Sequence, residues 1–195
     1  MQIKRLHTKD KKIINGPLEI IPKIYEDERG YFCETWNNRD FLKNVESGIS
    51  FVQDNQSFSK KGVLRGLHYQ LIPQPQGKLV RATIGRIFDV IVDLRKNSKT
   101  FSSWSSVILC SKDKNQIWIP SGFAHGFLTL SDEAIVEYKV TNLWNKDLDR
   151  TIVWNDSDIA IDWPLFNLCS KIPQLSLKDR NGSTLSSIVK KGEIF

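Results

Sequence analysis

KLVRATIGRIFDVIVDL, residues 78–94, is the stretch that decides the fold. Between residues 86 and 94, one set of alternate positions holds Phe, Val, Val and Leu, and the other holds Ile, Asp, Ile and Asp. Because successive side chains of a β-strand point to opposite faces, a period near two predicts strands rather than helices. We therefore expect consecutive strands at 78–85 and 86–94.

Similar short runs, rich in β-branched and aromatic residues, continue along the chain. They are WSSVILC, QIWIP, GFLTL and AIVEYKVTNLW, at residues 104–110, 116–120, 126–130 and 134–144. Polar, turn-forming segments separate them. Regular short strands joined by turns predict an antiparallel sandwich or barrel, so the fold class is mainly β.

The two ends of the chain lack this regularity. Residues 18–36 are compatible with two strands around a turn at Asp27–Gly30. NNRDFLKNV, residues 37–45, predicts one short helix with Asn37 or Asn38 as its N-cap. Beyond residue 163 the chain is rich in loops, and we expect at most one short helix near SSIVKK.

Composition and length predict an ordinary globular protein. The chain has 195 residues, 40% hydrophobic and 26% charged, with no internal repeat or linker, so we expect a single domain over residues 1–195. The charged N-terminus shows no signal peptide, and no apolar run approaches the ~20 residues that cross a bilayer. Cys33, Cys110 and Cys169 form no CxxC pair, which indicates free thiols. We expect a cytoplasmic protein without membrane association.

The net charge of +6 favours an anionic partner. Lysines and arginines are scattered, and no basic helix or RNA-binding motif is present, so the sequence does not favour nucleic acid. A negatively charged small molecule fits this distribution better.

Two of the three histidines lie in distinctive motifs, GVLRGLHYQ (62–70) and IPSGFAHGF (119–127). These two motifs, with the predicted strands between them, resemble the motifs of cupins. Metal-binding cupins carry H-x-H in the first motif. Here Gln70 stands where the second histidine would be. His68, His125 and an amide fall short of the three or four ligands of a tight transition-metal site, so we expect no metal.

The polar residues around His68 indicate a ligand site instead. Arg65, His68, Gln70 and Lys78 fall within fourteen positions of a predicted barrel. A lone histidine in an apolar strand is normally a hydrogen-bonded core residue, but such a concentration is costly unless a ligand satisfies it. Arg65 and His68 differ by an odd step, so aiming both at one cavity requires a bulge or turn at Gly66.

Long motifs in a fixed order extend this pattern over almost the whole chain, from ERGYFCE at residue 28 to LSLKDR at residue 180. The others are QDNQSFSKKGVLRGLHYQ, PQGKLVRATIGRIFDVIVDLRKNSKTF, QIWIPSGFAHGFLTLS, EYKVTN and WNDSDIAIDWP. Together they resemble the dTDP-4-dehydrorhamnose 3,5-epimerase family, of the RmlC type in the cupin superfamily. The resemblance implies a cupin-like antiparallel β-barrel, or jelly roll, with a few short helices, and a homodimer.

The resemblance also implies a reaction that inverts C3 and C5 beside the ketone of a dTDP-linked 4-keto-6-deoxyhexose, with no cofactor or metal. Such chemistry requires a base over the C–H bond, a cation near the ketone oxygen and an acid on the opposite face. By motif, His68 matches the base, Asp179 its carboxylate partner, Lys78 the enolate-stabilising cation and Tyr138 the acid. A neutral imidazole accepts a proton near neutral pH, and a phenol keeps its proton until a carbanion forms.

The remaining motif positions match substrate-binding residues of the family. Arg29, Phe32 and Glu34 match residues that reach the neighbouring subunit's site. The other expected substrate-binding residues are Gln53, Asp54, Asn55, Arg65, His125, Trp144, Asp149 and Lys178. Arg65 suits phosphate oxygens because a guanidinium donates two parallel hydrogen bonds.

Two positions depart from the family pattern. The family often has YKxTDYY where this chain reads YKVTNLW, so Trp144 replaces a tyrosine and offers no hydroxyl. Gln56 replaces a common histidine, which we expect to matter little. The alternatives left open are a 3- or 5-mono-epimerase of a related sugar, a cupin that only binds nucleotide-sugars, and a metal-dependent cupin.

Overall fold

The computed structural model describes residues 1–168 and 171–195, and most of its regular structure is β-strand. Short helices occupy Asn38–Asn44 (α1), Leu177–Arg180 (α2) and Leu185–Lys190 (α3), with a 3-10 turn at Leu165–Asn167. The strands are β1 Gln2–His7, β2 Ile13–Ile21, β3 Ile24–Asp27, β4 Gly30–Cys33, β5 Gln53–Lys60, β6 Leu64–Gln70, β7 Lys78–Ile84, β8 Arg86–Asp93, β9 Trp104–Cys110, β10 Gln116–Ile119, β11 Phe123–Thr129, β12 Glu133–Val140 and β13 Asp149–Thr151.

Two antiparallel sheets pack face to face and form a flattened barrel. The six-stranded sheet has the order β1-β2-β10-β7-β12-β5, and the five-stranded sheet has the order β13-β6-β11-β8-β9. Strands β3 and β4 form a separate hairpin. Apolar side chains from both sheets, such as Val80, Ile91, Ile117 and Phe127, fill the space between them. The predicted mainly β, cupin-like fold is confirmed.

Each sheet also buries part of its outer face. Trp118 and Leu79 on the six-stranded sheet pack against α1 and its flanks through Phe41. The five-stranded sheet is covered by the C-terminal third of the chain, where Ile188 packs into the same cluster as Val90. Because both faces of the central strands are covered, Asp89 and Asp93 of β8 are also fully buried.

The irregularity expected in β6 is present at Gly66. Between β6 and β11, His68 pairs with His125 and Arg65 pairs with Phe127, so β6 contains one residue more than its partner. Gly66 has a φ of +125°, and a Cβ there would lie 2.5 Å from the Cα of Gly126. Only glycine fits this conformation and this close approach, which lets His68 turn into the barrel.

The strands predicted in the middle of the chain are present, although the last ends at Val140 rather than at residue 144. Helix α1 begins after Asn37, whose side chain accepts a hydrogen bond from the Asp40 amide, as expected of an N-cap. The expectation of at most one helix in the C-terminal tail was wrong, because α2 and a 3-10 turn precede α3.

Cys33 and Cys110 are free thiols, whereas Cys169 lies outside the described residues. Among the helices of the described ranges, none is long and apolar enough to span a bilayer.

Candidate active site

A histidine–aspartate pair lies at one end of the barrel. His68 projects from β6, and its Nε2 lies 2.5 Å from Oδ1 of Asp179 in α2. The two residues are separated by 111 positions in sequence, so packing of the C-terminal segment against β6 creates the pair. The His68 side chain is 31% exposed and that of Asp179 is 5% exposed, so the imidazole faces the opening and covers its partner.

Asp179 is held in its ionised form. Ser176, the N-cap of α2, donates from its Oγ to Asp179 Oδ2 at 2.8 Å and accepts from the Asp179 amide at 3.1 Å. Burial raises the Asp179 pKa, but the hydrogen bonds from His68, Ser176 and the Gly66 amide outweigh it and leave the pKa below its ordinary value.

The His68 imidazole is neutral at physiological pH. Burial lowers its pKa, Asp179 partly offsets this, and the positive charges of Lys178 and Lys78 lower it further. An ionised carboxylate only accepts hydrogen bonds, so the Nε2–H of His68 donates to Asp179. The Nδ1 atom is therefore the one free to accept a proton.

A buried lysine lies beside this pair. Lys78 begins β7 in the opposite sheet, and its Nζ donates to the backbone carbonyl of His68 at 3.3 Å. Burial lowers its pKa to about 8, while the nearby carboxylates of Asp149 and Asp89 act in the opposite direction. The side chain is still mostly charged near neutral pH, but it loses its proton at a pH far below that of an exposed lysine.

Tyr138 lies on β12, in the same sheet as Lys78. It pairs with Val80 on one side and Asn55 on the other, and its ring packs against the core inside the barrel. Burial raises the pKa of the Tyr138 hydroxyl above its ordinary value, although Arg65 opposes the shift. The phenol is thus protonated at neutral pH, on the sheet opposite to His68.

Further charged groups surround the opening. The Arg65 guanidinium is held by Ser59 Oγ at 3.0 Å and the Phe58 carbonyl at 2.9 Å, which leaves it exposed on its other side. Lys178 of α2 forms a short ion pair with Asp149 of β13. This pair joins the helix that carries Asp179 to the strand beside β6.

Strand β5 places its predicted residues on two different faces. Gln53 donates to Asn55 Oδ1 at 2.7 Å and accepts from the Trp144 amide at 3.3 Å, so these three lie together near the opening. The carboxylate of Asp54 instead binds Lys139 at 2.8 Å. Asp54 and Lys139 border a cavity of about 470 Å³ on the outer face of the six-stranded sheet, away from His68.

The three residues expected to reach a neighbouring subunit lie on or beside the β3–β4 hairpin. Arg29, at its turn, binds Asp27 at 2.7 Å and is 84% exposed. Phe32 is 69% exposed. Glu34 accepts a hydrogen bond from Asn37 at 3.2 Å. Within the described part of this subunit, no polar contact joins these residues to the His68 group.

A second histidine–aspartate pair lies deeper in the barrel. His125 of β11 is the register partner of His68, and its Nε2 lies 2.8 Å from Oδ2 of Asp89. Neither Asp89 nor Ser176 was predicted from the sequence as a functional residue. Two signals pointed to them: an aspartate inside an apolar strand needs a partner, and Ser176-x-x-Asp179 has the spacing of a helix capping box.

Gln70 is engaged with the protein rather than free to hold an ion. Its Nε2 donates to the carbonyls of Gln74 and Leu143, and its Oε1 accepts from the Asn145 amide at 2.8 Å. Within residues 1–168 and 171–195, no three His, Cys, Asp or Glu side chains lie close enough together to hold a metal ion. The donor set at this opening thus suits proton transfer and anion binding.

Fold and site together define a class: a cupin-like barrel whose opening carries a neutral imidazole, a phenol and a buried ammonium group. The model of the dTDP-4-dehydrorhamnose 3,5-epimerase family matches residues 11–187, and the chain belongs to this family. The dTDP-4-dehydrorhamnose 3,5-epimerase of Shigella flexneri is 53% identical over 161 residues, which cover 83% of this chain and 86% of that protein.

Solved structures show the same likeness. The Legionella pneumophila enzyme, in complex with dTDP-4-keto-L-rhamnose, has a TM-score of 0.88 and 41% identity, covering 99% of this chain and 97% of that one. A 3'-monoepimerase from Streptomyces bikiniensis, in complex with dTDP-quinovose, has a TM-score of 0.85 and 30% identity over 93% of this chain and 89% of its own. The likeness therefore extends to enzymes of both specificities.

Proposed function

We propose that the protein converts dTDP-4-dehydro-6-deoxy-D-glucose to dTDP-4-dehydro-L-rhamnose by inverting C3 and C5, without a cofactor. Family membership supports this substrate class, and the structure of a relative with the 4-keto-L-rhamnose nucleotide supports the product. The observation that carries the chemistry is the placement of His68 on one sheet and of Tyr138 and Lys78 on the other.

The proposed mechanism follows from these positions. His68 Nδ1 removes the proton from C3 or C5, and the bonding electrons move into an enolate whose negative oxygen derives from the ketone. The Lys78 ammonium stabilises that charge in a buried setting, where electrostatic interactions are stronger than in water. Tyr138 then donates its proton to the same carbon from the opposite face, and the ketone forms again with inverted configuration.

The groups must be reset after each inversion. His68 releases its proton to solvent and the Tyr138 phenolate takes one up, so substrate and product have the same composition. Asp179 fixes the imidazole tautomer and stabilises the imidazolium while it carries the proton, as a buried carboxylate does in other acid–base sites. The hydrogen that returns to carbon therefore comes from water.

This exchange provides the test. The 4-keto nucleotide sugar is incubated with the protein in deuterated water, and C3 and C5 are followed by NMR. We expect deuterium at both carbons. Label at neither carbon, with the nucleotide sugar still bound, would show a binding protein and overturn the proposal.

A mono-epimerase is the second candidate, because Trp144 supplies no hydroxyl where the family often has a tyrosine. Its backbone amide is held by Gln53 near the opening, so the indole lies within reach of a bound sugar. Deuterium at only one carbon in the same experiment would select this candidate. Replacing Trp144 with Tyr should then restore label at the second carbon.

The protein is also proposed to act in the cytoplasm as a homodimer of single-domain subunits. Arg29, Phe32 and Tyr31 leave the β3–β4 hairpin largely exposed in one subunit, which suits a segment that binds a second copy. In such a dimer, Arg29, Phe32 and Glu34 contribute to the partner's substrate site.

Subunit complementation tests this arrangement. Arg29→Ala and His68→Asn are each expected to be nearly inactive. After mixing and subunit exchange, half of the dimers combine the two variants and hold one intact site, so about a quarter of the activity should return. No recovery after verified exchange, or a monomer in analytical ultracentrifugation, would contradict it.

A further inference from the structure

Gln70 is a buried polar residue that the proposed chemistry does not use. It follows His68 by two positions on β6, is 3% exposed and pairs in register with Asp149 of β13. Two loops meet at this side chain: residues 71–77, between β6 and β7, and residues 141–148, between β12 and β13. Both loops border the opening of the barrel.

The hydrogen bonds of Gln70 connect these loops to each other. Its amide nitrogen donates to the Gln74 carbonyl in the first loop and, at 3.0 Å, to the Leu143 carbonyl in the second. Its amide oxygen accepts from the Asn145 amide at 2.8 Å. Both amide hydrogens and the oxygen of Gln70 are thus bound to backbone atoms of the two loops.

Other amide side chains reinforce the connection. Gln76 donates to the Asn142 carbonyl at 2.8 Å, Asn142 donates to the Pro75 carbonyl at 2.7 Å, and Asn145 donates to Gln74 Oε1 at 2.9 Å. Among the five amide side chains at this junction, those of residues 70, 74, 76, 142 and 145, only that of Gln70 is buried. The bonds of Gln70 to the Leu143 carbonyl and the Asn145 amide lie on either side of Trp144. The side chains of Leu143 and Trp144 are 61% and 56% exposed.

We propose that Gln70 is a positioning residue: it holds loop 141–148 against the opening so that Trp144 is presented to the bound nucleotide sugar. The inference rests on the proposed function only for the identity of that ligand. An indole placed by backbone hydrogen bonds loses less conformational freedom on binding, which strengthens binding without new contacts. Gln70 therefore acts on substrate affinity through Trp144 and leaves proton transfer to His68 and Tyr138.

The first test uses no substrate. Gln70→Met keeps the length of the side chain but removes its donors and acceptor, and Gln2→Met makes the same change on the exposed edge strand β1. Hydrogen exchange by mass spectrometry should show faster exchange in residues 141–148 of Gln70→Met alone. Unchanged exchange there would overturn the proposed role, whatever the protein's reaction.

The second test measures kinetics with dTDP-4-dehydro-6-deoxy-D-glucose. We expect Gln70→Met to raise KM about 10-fold with kcat within about 3-fold, since an aromatic contact is weakened while the acid–base groups stay in place. Trp144→Ala should have a similar effect. The double variant should exceed the larger single effect by no more than about 2-fold, because the two residues act in series.

Additive effects, or a fall in kcat without a rise in KM, would overturn the proposal. Asn145→Ala is a second variant in case Gln70→Met folds poorly, because this side chain is near the surface. It removes the bond to Gln74 and should raise KM in the same direction by a smaller factor. Wild-type protein that neither binds nor turns over the nucleotide sugar would refute the proposed function, while the exchange experiment would still test Gln70.

Discussion

In both histidine–aspartate pairs of this protein, the ring Nε2 lies within hydrogen-bond distance of a carboxylate oxygen, at 2.5 Å for His68 and 2.8 Å for His125. The surroundings of the two pairs differ. His68–Asp179 lies at the opening, and Ser176 and the Gly66 amide give its carboxylate further hydrogen bonds. His125–Asp89 lies inside the barrel with both residues buried, and among the described residues Oδ1 of Asp89 has no hydrogen-bond partner. The carboxylates are therefore shifted in opposite directions: the pKa of Asp179 is lowered, whereas burial raises that of Asp89.

The difference in pKa suggests different roles: one pair can accept and release a proton in each turnover, and the other holds its imidazole ring in place. A hydrogen-bonded, ionised carboxylate stabilises an imidazolium that forms and disappears during each turnover. Burial raises the pKa of Asp89, so this carboxylate stabilises an imidazolium less than Asp179 does. We therefore propose that the pair at the opening transfers the proton and that His125 is a fixed binding group.

Removing the base should have the largest effect. His68→Asn is expected to lower the rate of deuterium exchange at C3 and C5 by about 10³-fold or more, because a positioned base contributes 10²–10⁴-fold. Affinity for dTDP, measured by calorimetry, should change little because in the proposed mechanism the imidazole acts on the sugar carbons and not on the nucleotide. His125→Asn is the matched variant at the second pair, and an equal loss of exchange there would erase the distinction between the pairs.

The neighbouring cation should produce the next largest effect and set the pH range. Lys78→Met should lower kcat/KM by about 10²–10³-fold, as the loss of a group that stabilises developing charge does. In the wild type, kcat/KM requires neutral His68 and charged Lys78. It should fall on the acid side where the imidazole gains a proton, at a lower pH than for an ordinary histidine because burial lowers the His68 pKa, and fall again above the lysine pKa of about 8. A flat profile between pH 7 and 10 would exclude Lys78 as the cation.

Replacing the carboxylate at the opening should have an intermediate effect. Asp179→Asn keeps the size of the side chain, so we expect about a 10²-fold loss of turnover rather than the full effect of removing the base. Asp179 raises the His68 pKa, so its loss should also move the acid limb of the kcat/KM profile to lower pH. An acid limb at the same pH as in the wild type would mean that Asp179 does not affect the pKa of the His68 imidazole.

Much of the fold could be predicted because local patterns and long-range packing agree. The alternation in residues 86–94 and the cap at Asn37 depend on neighbours a few positions away, and both predictions were confirmed. Strand β2, IINGPLEII at Ile13–Ile21, was predicted only from residue 18 onward because Gly16 and Pro17 disfavour strands. Pairing with β1 along its length and with β10 at residues 18–20 compensates. Tertiary contacts, absent from any window of sequence, decided that segment.

The same holds for the active site: local spacing predicted some of its features, and long-range packing decided the others. The bulge at Gly66 followed from the odd spacing of Arg65 and His68, because it concerns four adjacent residues. The pairing of His68 with Asp179 joins residues 111 positions apart, and only the family resemblance indicated it. Asp89 was missed since one aspartate in a buried strand shows that a partner is needed without showing which one.

The smallest effect is expected for Asp89, the carboxylate inside the barrel. The direction in which its replacement changes stability with pH tests whether Asp89 and Asp179 differ. A raised pKa in the folded state makes the stabilising contribution of Asp89 complete below its unfolded pKa of ~3.9 and lost as the pH rises through the folded value. Asp179, with a lowered pKa, contributes above ~3.9 and loses its contribution as the pH falls through the folded value. Asp89→Asn should therefore change the unfolding free energy at pH 8 by less than about 1 kcal/mol, since replacing a buried charge is often neutral or stabilising. Urea unfolding between pH 2 and 8 should show Asp89→Asn gaining stability relative to wild type as the pH rises through the raised Asp89 pKa. Asp179→Asn should lose stability relative to wild type only at the acid end, as the pH rises toward ~4. Parallel curves would mean that the two carboxylates are equivalent.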